Sequence, residues 1–524
     1  MEFLHDLQYF SLAMASLLIC AIGVLVFYLW FSAFQLNLKL QRNGFRGPPP
    51  RFPMGNINEM KKKEDKASHG APLAMTNDIH STAFPYFAKW RLSYGKVFVY
   101  WLGTEPFLYI GDPEFLKQVS NGVVTSKAWG KPTVFKRDRD PMFGKGLVMV
   151  EGDDWVRHRR IITPAFSSGN LKAMISLMVE TTDKMLDEWT GLVNLDMHEI
   201  NVEGDIIKNA AEIIAKTSFG MNHQYAERVF EKLKAMQATL FRSGRLLGVP
   251  FSRLACLRQT LEERKLGKEI DDLLLSIITA RKASRIAEPQ KDLLGLLLPD
   301  NHVNELLGKK LSPRELVDEC KTFFFGGHET TALAVSWTLF LLAKQPKWQT
   351  LLREEIMEVT GGEPLDFTML TKLVKMGWVM NEVLRLYPPA PNVQRQARED
   401  IQVGDAIIPK GTNIWIDLVG MHHDPALWGE DVNEFRPERF KEDVLYGGCK
   451  HKMGYLPFGF GGRMCVGRNL ALMEYKTVLS LILTRFSMSL SPNYLHSPTH
   501  LLSLRPSCGI PLILQPITPM TMRR

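Results

Sequence analysis

The chain has 524 residues, 45% of them hydrophobic and 23% charged, which excludes a disordered protein and predicts one very large domain or two closely packed lobes. Its 64 Lys and Arg against 56 Asp and Glu leave a formal net charge of +8, and no dense basic block is interleaved with aromatics, so anionic lipid or an acidic protein is a more suitable partner than nucleic acid. The 6 cysteines are scattered without disulfide-framework spacing, which favours a reducing compartment.

The first predicted element is a membrane-spanning helix. Residues 9–34 carry no charge and would form a helix about 39 Å long, enough to cross a hydrocarbon layer of about 30 Å. A cleaved signal peptide is the alternative, but the preceding residues include Glu2 and Asp6 without Lys or Arg, and the run is too long. Lys and Arg follow the run from residue 39 onward, so the remainder is expected on the cytosolic side.

These signals divide the chain into four predicted parts. Residues 1–8 form a short lumenal N-terminus, 9–34 the single membrane-spanning helix, 35–60 a basic and proline-rich hinge, and 61–524 a cytosolic domain. The hinge contains GPPPRFPMGN, whose prolines fix φ and remove backbone donors, so a stiff, non-helical connector is expected there. In a eukaryotic cell, this arrangement corresponds to a protein of the endoplasmic reticulum membrane.

The cytosolic body is predicted to be mainly α-helical with small β-sheets, an α+β fold. Residues 96–113 have the pattern of two strands around a Gly-Thr turn, and residues 400–418 have a similar pattern. The clearest helix follows Ser312, a predicted N-cap with proline and glutamate at the first and third helical positions. This helix can extend to Pro346, and because its middle is apolar nearly all round, it should run through the core.

The middle of this helix contains Gly326 and Gly327, followed by Glu329 and Thr330. Two glycines destabilise a helix by about 2 kcal/mol relative to alanines, and a buried carboxylate is unfavourable unless it is paired or used. One interpretation is a helix bent for packing. The other is a groove opened beside a ligand, in which Glu329 and Thr330 handle protons. These residues alone do not decide between the two.

Two further residue pairs share helix faces. Glu382 and Arg385 lie among apolar neighbours, which indicates a buried ion pair that needs a further partner such as Arg439; a surface pair is the alternative. Trp155 and Arg159 follow acidic residues suited to cap a helix. They would project an indole and a guanidinium together toward an anion, unless they form an exposed amphipathic turn.

The segment PFGFGGRMCVGR, residues 457–468, surrounds Cys465 with glycines and arginines. The glycines allow the backbone to open around the sulfur, and the arginines bring positive charge near it. A core cysteine needs no such surroundings, and a disulfide needs a partner. The segment therefore predicts a sulfur that binds another group.

Together these motifs resemble the cytochrome P-450 superfamily of haem-thiolate monooxygenases, over roughly residues 45–515. The family pattern F-x-x-G-x-R-x-C-x-G is met in full by Phe458, Gly461, Arg463, Cys465 and Gly467. The pairs Glu382–Arg385 and Trp155–Arg159 match E-x-x-R and W-x-x-x-R. GGHETT matches the mid-helix motif, with Gly326 where the family usually has Ala.

The resemblance implies a cytochrome P-450 fold behind the N-terminal helix, with a haem b whose iron is bound by the Cys465 thiolate. Phe458 would shield this thiolate from water, and glycines such as Gly461 would let backbone N–H groups approach it. Glu329 and Thr330 would supply protons. The residues implied to neutralise the haem propionates are Trp155, Arg159, Arg395 and Arg463. Those implied to have a structural role are Glu382, Arg385 and Arg439.

The resemblance also implies a reaction, the insertion of one oxygen atom of O2 into a C–H bond of a hydrophobic small molecule. Electrons from NADPH would arrive through a separate reductase, because the chain has no convincing nucleotide-binding segment of its own. The basic residues Lys450, Lys452 and Arg468 flank the cysteine segment and are suggested to dock an acidic surface of that reductase. The long helix further resembles plant members that include cytokinin hydroxylases and enzymes modifying gibberellins and brassinosteroids, so a hormone- or terpenoid-like substrate is expected. The expected pocket walls are residues 120–147, 236–251, 323–327, 390–393 and 497–508.

Two other functions are considered. A haem-thiolate isomerase or dehydratase would rearrange a peroxide without O2 or a reductase. A membrane-tethered haem sensor would perform no chemistry. The pair Glu329–Thr330 argues against both, because neither function requires a proton relay.

Overall fold

The structure, a computed structural model, describes residues 2–61, 75–122, 128–220, 223–241, 246–284, 292–298 and 311–517. Its hydrophobic core has two parts. The larger part lies among the helices and contains Trp337 and Phe340. The smaller part lies against a mixed sheet and contains Val99, Ile414 and Phe460. The predicted fold class, mainly α with small sheets, is confirmed.

The α-helices follow one another along nearly the whole described chain. In order they are α1 (Glu2–Arg42), α2 (Ile79–Ala83), α3 (Pro85–Tyr94), α4 (Pro113–Gly122), α5 (Thr133–Phe143), α6 (Gly152–Ile162), α7 (Ser168–Lys172), α8 (Ile175–Asn194), α9 (Val202–Phe219), α10 (His223–Leu240), α11 (Ser252–Ala255), α12 (Leu257–Ser284), α13 (Leu293–Leu297), α14 (Pro313–Ala343), α15 (Pro346–Thr360), α16 (Phe367–Lys372), α17 (Val374–Leu386), α18 (Leu418–His422), α19 (Pro425–Trp428) and α20 (Arg468–Arg485).

The strands form small, separate sheets. In order they are β1 (Val97–Leu102), β2 (Glu105–Ile110), β3 (Trp129–Gly130), β4 (Glu199–Asn201), β5 (Asn392–Ala397), β6 (Ile401–Val403), β7 (Ala406–Ile408), β8 (Asn413–Asp417), β9 (Phe486–Leu490), β10 (Pro498–His500), β11 (Leu504–Pro506) and β12 (Pro511–Pro516). One sheet has the order β1-β2-β8-β5-β3, another β4-β12-β9, and β6-β7 and β10-β11 are hairpins.

Both predicted strand segments are strands in the structure. The segment 96–113 forms the β1–β2 hairpin, in antiparallel register from Val97↔Ile110 to Leu102↔Glu105. The segment 400–418 forms three strands rather than two, because β8 leaves the β6–β7 hairpin and pairs in parallel with β2. On its other side β8 pairs with β5, which brings Arg395 opposite Ile414.

Helix α1 is the one helix among the described residues that is long and apolar enough to cross a membrane, over Phe10–Arg42. It extends eight residues beyond the predicted span at residue 34, so the first part of the predicted hinge is helical. The reason is tertiary packing: Leu40 is fully buried, and Ala33 and Leu36 also contact the core beside the sheet. The proline-rich segment 47–56 contains no helix or sheet strand, as predicted.

Helix α14 starts and ends close to where the sequence predicts. Ser312 Oγ accepts from the Glu315 backbone N–H, and the Glu315 side chain accepts from the Ser312 backbone N–H, so the capping box is present. The helix runs unbroken for 31 residues. Helix α9 packs closely along it: a Cβ added at Gly327 would lie 2.5 Å from Ile214 Cδ1, whereas one added at Gly326 would meet nothing within 4 Å.

The two glycines are therefore expected to respond differently to replacement by alanine. Gly326→Ala should raise the free energy of unfolding by about 1 kcal/mol, because alanine loses less backbone entropy in a helix and meets open space here. Gly327→Ala should give no such gain, because Ile214 must move away. Thermal unfolding of the two variants measures the difference, and equal stabilisation by both would contradict it.

The Glu382–Arg385 pair of α17 is fully buried. Arg385 Nε and Nη2 donate to the two carboxylate oxygens of Glu382, each at 2.8 Å. Its guanidinium also donates to the carbonyls of His422 and Val432, at 3.0 and 2.6 Å. Arg439 Nε lies 3.6 Å from Glu382 Oε1, so the three predicted structural residues are in contact. This network joins α17 to the segment that leads into the cysteine loop.

Candidate functional site

A cavity of about 370 Å³ lies between the middle of α14, helix α6 and the cysteine loop. Most of the lining side chains are apolar, among them Phe166, Phe323 and Leu384. The predicted site residues that line it are Trp155, Arg159, Thr330, Arg395, Phe458, Arg463 and Cys465. Glu329 and Gly461 are not among the lining residues. Long-range folding thus brings three of the motifs and Arg395 around one space, whereas Glu382 and Arg385 of the fourth motif do not line it.

The cysteine loop holds its sulfur open to the cavity. Gly461 adopts φ +62° at the start of a 3₁₀ turn, Gly461–Arg463, a conformation that favours glycine. The Met464 N–H donates to the Gly461 carbonyl at 3.1 Å, and the Cys465 N–H donates to the Phe458 carbonyl at 2.9 Å. The side chain of Cys465 is exposed to the cavity. Gly461 therefore shapes the turn rather than the cavity surface.

The surroundings of Cys465 act on its pKa in opposite directions. The pKa of the thiol is raised on balance, because burial within the protein outweighs the Gly467 backbone N–H and the charges of Arg159 and Arg468, which lower it. The donor and the two cations are suited to stabilise a thiolate. Arg468 reaches the loop by lying over the Phe458 ring, 5.7 Å from its centroid.

Helix α6 presents Trp155 and Arg159 toward the same loop. Arg159 Nη1 donates to the Met464 carbonyl at 2.8 Å, next to Cys465. The guanidinium of Arg463 lies over the Trp155 ring, 4.7 Å from its centroid, and donates to the Val150 carbonyl at 3.0 and 3.1 Å. These contacts hold Arg159 and Arg463 at the cavity wall. Their acceptors there are neutral carbonyls, so the positive charges of the two side chains are not neutralised by these bonds.

A cation that the sequence reasoning missed, Lys131, completes the positive region. Burial and the charges of Arg395, Arg139 and Arg463 hold the pKa of Lys131 well below its usual range. Burial, with the charge of Arg463, lowers the pKa of Arg395 to about 9. Lys131 follows β3, whose pairing Gly130↔Gln396 places it beside Arg395. No local motif could have shown this, because the two residues are brought together by strand pairing.

The cavity fits a large apolar group with an anionic edge, as a haem is. Within the described chain no carboxylate forms an ion pair with the half-buried Lys131, Arg159 and Arg463 or with the buried Arg395, although cations withdrawn from water are usually paired. The buried Arg395 Nε has no hydrogen-bond partner there either. Two carboxylates on a bound group would satisfy these cations, and the apolar walls would contact its body. The donor set therefore suits the cofactor that the resemblance implies.

Thr330 and Glu329 are neighbours but face different surroundings. The Thr330 hydroxyl donates to the Gly326 carbonyl, one helical turn earlier, at 2.9 Å, and the residue lines the cavity. Glu329 is buried and contacts Gln237 and Ser503 instead. Of the two residues, only Thr330 is therefore placed to contact a group bound in the cavity.

The expected pocket walls are only partly those of the cavity. Residues 323–327 and 390–393 each contribute lining side chains, and residues 120–147 contribute Lys131 and Leu147. None of the described residues of 236–251 and 497–508 lines this cavity. Gln237 of the first segment and Ser503 of the second contact Glu329, which does not line the cavity. Residues 123–127 and 242–245 of the predicted walls lie outside the described residues.

Comparisons with known proteins agree on one family. The family model described as Cytochrome P450 matches residues 74–508. Cytochrome P450 714C2 of Oryza sativa subsp. japonica is 36% identical over 496 residues, covering 93% of this chain and 94% of that protein. A cytokinin hydroxylase of Arabidopsis thaliana is also 36% identical, over 497 residues, with coverage of 93% and 94%. Cytochrome P450 714A2 of Arabidopsis thaliana is 35% identical over 487 residues, with coverage of 90% and 91%.

Proposed function

Because the chain belongs to the cytochrome P450 family of haem-thiolate monooxygenases, we propose that it hydroxylates a hydrophobic, hormone- or terpenoid-like small molecule with electrons that NADPH supplies through a separate reductase. The observation that carries this proposal is that the Cys465 thiol, a group of cations and the Thr330 hydroxyl line one and the same cavity. When bound, a haem with a thiolate ligand supplies the activation of O2 and the transfer of one oxygen atom to a C–H bond.

The chain's own residues would hold this group from two sides. Cys465 would bind the iron, with the Gly467 N–H and the charge of Arg159 stabilising the thiolate. Arg395, Arg463 and Lys131 would neutralise the carboxylates at the anionic edge. Trp155 and Phe458, which stack with Arg463 and Arg468, would keep water away from this edge and from the sulfur.

Proton supply is proposed to pass through Glu329 and Thr330. Thr330 presents a hydroxyl at the cavity wall, and its bond to the Gly326 carbonyl holds it in one orientation. Glu329 is a buried carboxylate with one unpartnered oxygen, Oε2. An oxygen in this state can accept a proton from water and release it again, which is what a relay requires.

Thr330→Ala is expected to separate NADPH consumption from product formation. NADPH oxidation should continue while hydrogen peroxide accumulates, and product formation should fall by about 10²-fold, the lower end of the usual range for a lost general acid–base group. The measurement is product, NADPH and peroxide in one reconstituted assay. Thr330→Ser keeps the hydroxyl and serves as the control. An unchanged ratio of product to NADPH in Thr330→Ala would contradict the role.

The reductase is proposed to approach the side of the cysteine loop. Lys450 and Lys452 are exposed there, which suits an acidic partner. Arg468 is half-buried against Phe458, and its charge acts on the Cys465 sulfur as well as adding to the positive surface.

Helix α1 is proposed as a single-pass anchor in the endoplasmic reticulum membrane. Residues 1–8 would be lumenal, and residues 61–524 would form the cytosolic catalytic domain.

The substrate class rests on the apolar cavity and on the relatives. One of them is named for cytokinin hydroxylation, so cytokinins, gibberellins and brassinosteroids form the test panel. The full-length protein, reconstituted with NADPH–cytochrome P450 reductase in phospholipid, should convert a panel compound to a product that carries one atom from labelled O2. Turnover driven by a peroxide without NADPH would favour the isomerase instead. A haem protein that neither binds nor converts any panel compound would favour the sensor.

A further inference from the structure

The hydrogen bonds of Glu329 fall on only one of its two carboxylate oxygens. Glu329 is 2% exposed. Gln237 Nε2 donates to its Oε1 at 2.8 Å, and Ser503 Oγ donates to the same oxygen at 2.5 Å. Within the described chain, the buried Oε2 has no partner. The two oxygens of this carboxylate are therefore chemically unequal.

Charge in the surroundings increases this inequality. Arg505 Nη1 lies 3.9 Å from the same Oε1, and Arg505 is itself paired with Glu203 at 3.2 Å. The two hydrogen-bond donors and the Arg505 charge all act at Oε1, so this oxygen is held as an acceptor while Oε2 has no donor beside it. A proton is then taken up at Oε2, because protonation there does not displace either of the hydrogen bonds that Oε1 accepts.

The donors come from two separate elements outside α14. Gln237 lies in α10, and Ser503 lies in the loop that joins β10 to β11. Their joint contact fixes the position of Oε1 by two hydrogen bonds from different parts of the chain. Neither residue lines the cavity, so neither can contact a reacting atom there.

We propose that Ser503 and Gln237 are positioning residues for proton delivery, which fix the Glu329 carboxylate so that Oε2 alone takes up a proton and passes it toward the Thr330 side of the cavity. The inference rests on the proposed function and adds two residues to it. It also gives a role to Gln237 and Ser503, the residues of segments 236–251 and 497–508 that contact Glu329 away from the cavity.

The first test observes the carboxyl group itself, without turnover. Infrared difference spectra are recorded on the full-length haem-loaded protein upon photolysis of bound carbon monoxide, and Glu329→Gln identifies the Glu329 band. Ser503→Ala and Gln237→Met should each shift this band, and the double variant should shift it further. Ser507→Ala is the matched control, because Ser507 bonds Ser497 in the same region and does not contact Glu329. It should leave the band unshifted.

The second test uses the panel compound that the wild type converts fastest. Ser503→Ala should lower the ratio of product to NADPH by about tenfold, the effect of one lost hydrogen bond to a charged group. Ser503→Thr keeps the hydroxyl and should restore the ratio. Deuterated solvent should slow product formation more in Ser503→Ala than in the wild type, because proton delivery then limits the rate. A merely structural role would not produce this difference.

The outcomes are separable. An unshifted band together with unchanged coupling in Ser503→Ala overturns the inference. If Ser503→Ala does not fold, Gln237→Met decides by the same two measurements. If the band shifts as expected but the wild type converts no panel compound, the positioning of Glu329 stands and the proposed function fails.

Discussion

Cys465→Ser is expected to abolish the long-wavelength Soret band of the reduced, carbon-monoxide-bound protein and all NADPH-dependent product formation. Within the cavity, Cys465 is the lining residue that offers a thiol, and the Gly467 N–H and Arg159 stabilise its ionised form. A serine hydroxyl binds iron far more weakly than a thiolate does. It also donates less electron density to the iron, and the chemistry requires the strong donation of a thiolate. The measurement is the reduced carbon-monoxide difference spectrum, followed by the reconstituted assay.

Cys449→Ser is the control for this replacement. Cys449 is half-buried in the loop before the cysteine segment and lies outside the cavity lining. This variant should retain the long-wavelength band. A Cys465→Ser protein that kept the band, or a Cys449→Ser protein that lost it, would show that the iron is bound by another residue.

Arg385→Leu is expected to destabilise the fold by about 3–5 kcal/mol, the range for breaking a buried ion pair from one side. The reason is the Glu382 carboxylate, which is fully buried and would lose both bonds from Arg385. The carbonyls of His422 and Val432 would lose their donor as well. Such a loss is a large share of the stability of an ordinary protein, about 5–15 kcal/mol. Chemical unfolding of the purified protein measures it.

Two variants separate the charge effect from general damage. Arg436→Ala removes a surface arginine paired with Asp431 and should change stability by less than about 1 kcal/mol. Glu382→Leu combined with Arg385→Leu removes both charges and should be less destabilising than the single change, because no unpaired charge remains buried. A double variant less stable than Arg385→Leu would show that packing, rather than charge, is the main contribution.

Local patterns were sufficient to predict the long central helix. Its capping residues are adjacent in sequence, and its apolar middle shows on all sides, so both its start and its burial follow from local rules. The same holds for the β1–β2 hairpin, whose strands flank one short turn. The third strand of residues 400–418 could not be predicted, because β8 exists only through its pairing with β2 and β5.

The candidate site shows the same division. Cys465, Trp155 and Arg159 were found because each lies in a motif with its own spacing, and the structure places them around one cavity. Lys131 lies in no motif and depends on the pairing of β3 with β5. The partners of Glu329 were also hidden, since Gln237 and Ser503 are distant from it in sequence. Contacts of this kind depend on the tertiary fold.

The packing of α1 against the body has a mechanical consequence in a membrane. The helix has 41 residues and is about 62 Å long, about twice the thickness of a hydrocarbon layer. Its last turns contact the core through Leu36 and the fully buried Leu40, so the end of the helix is packed against the body. A thicker bilayer makes an apolar helix stand more upright. If α1 spans the membrane as proposed, a change in bilayer thickness would therefore act on the tilt of the body against which the helix is packed.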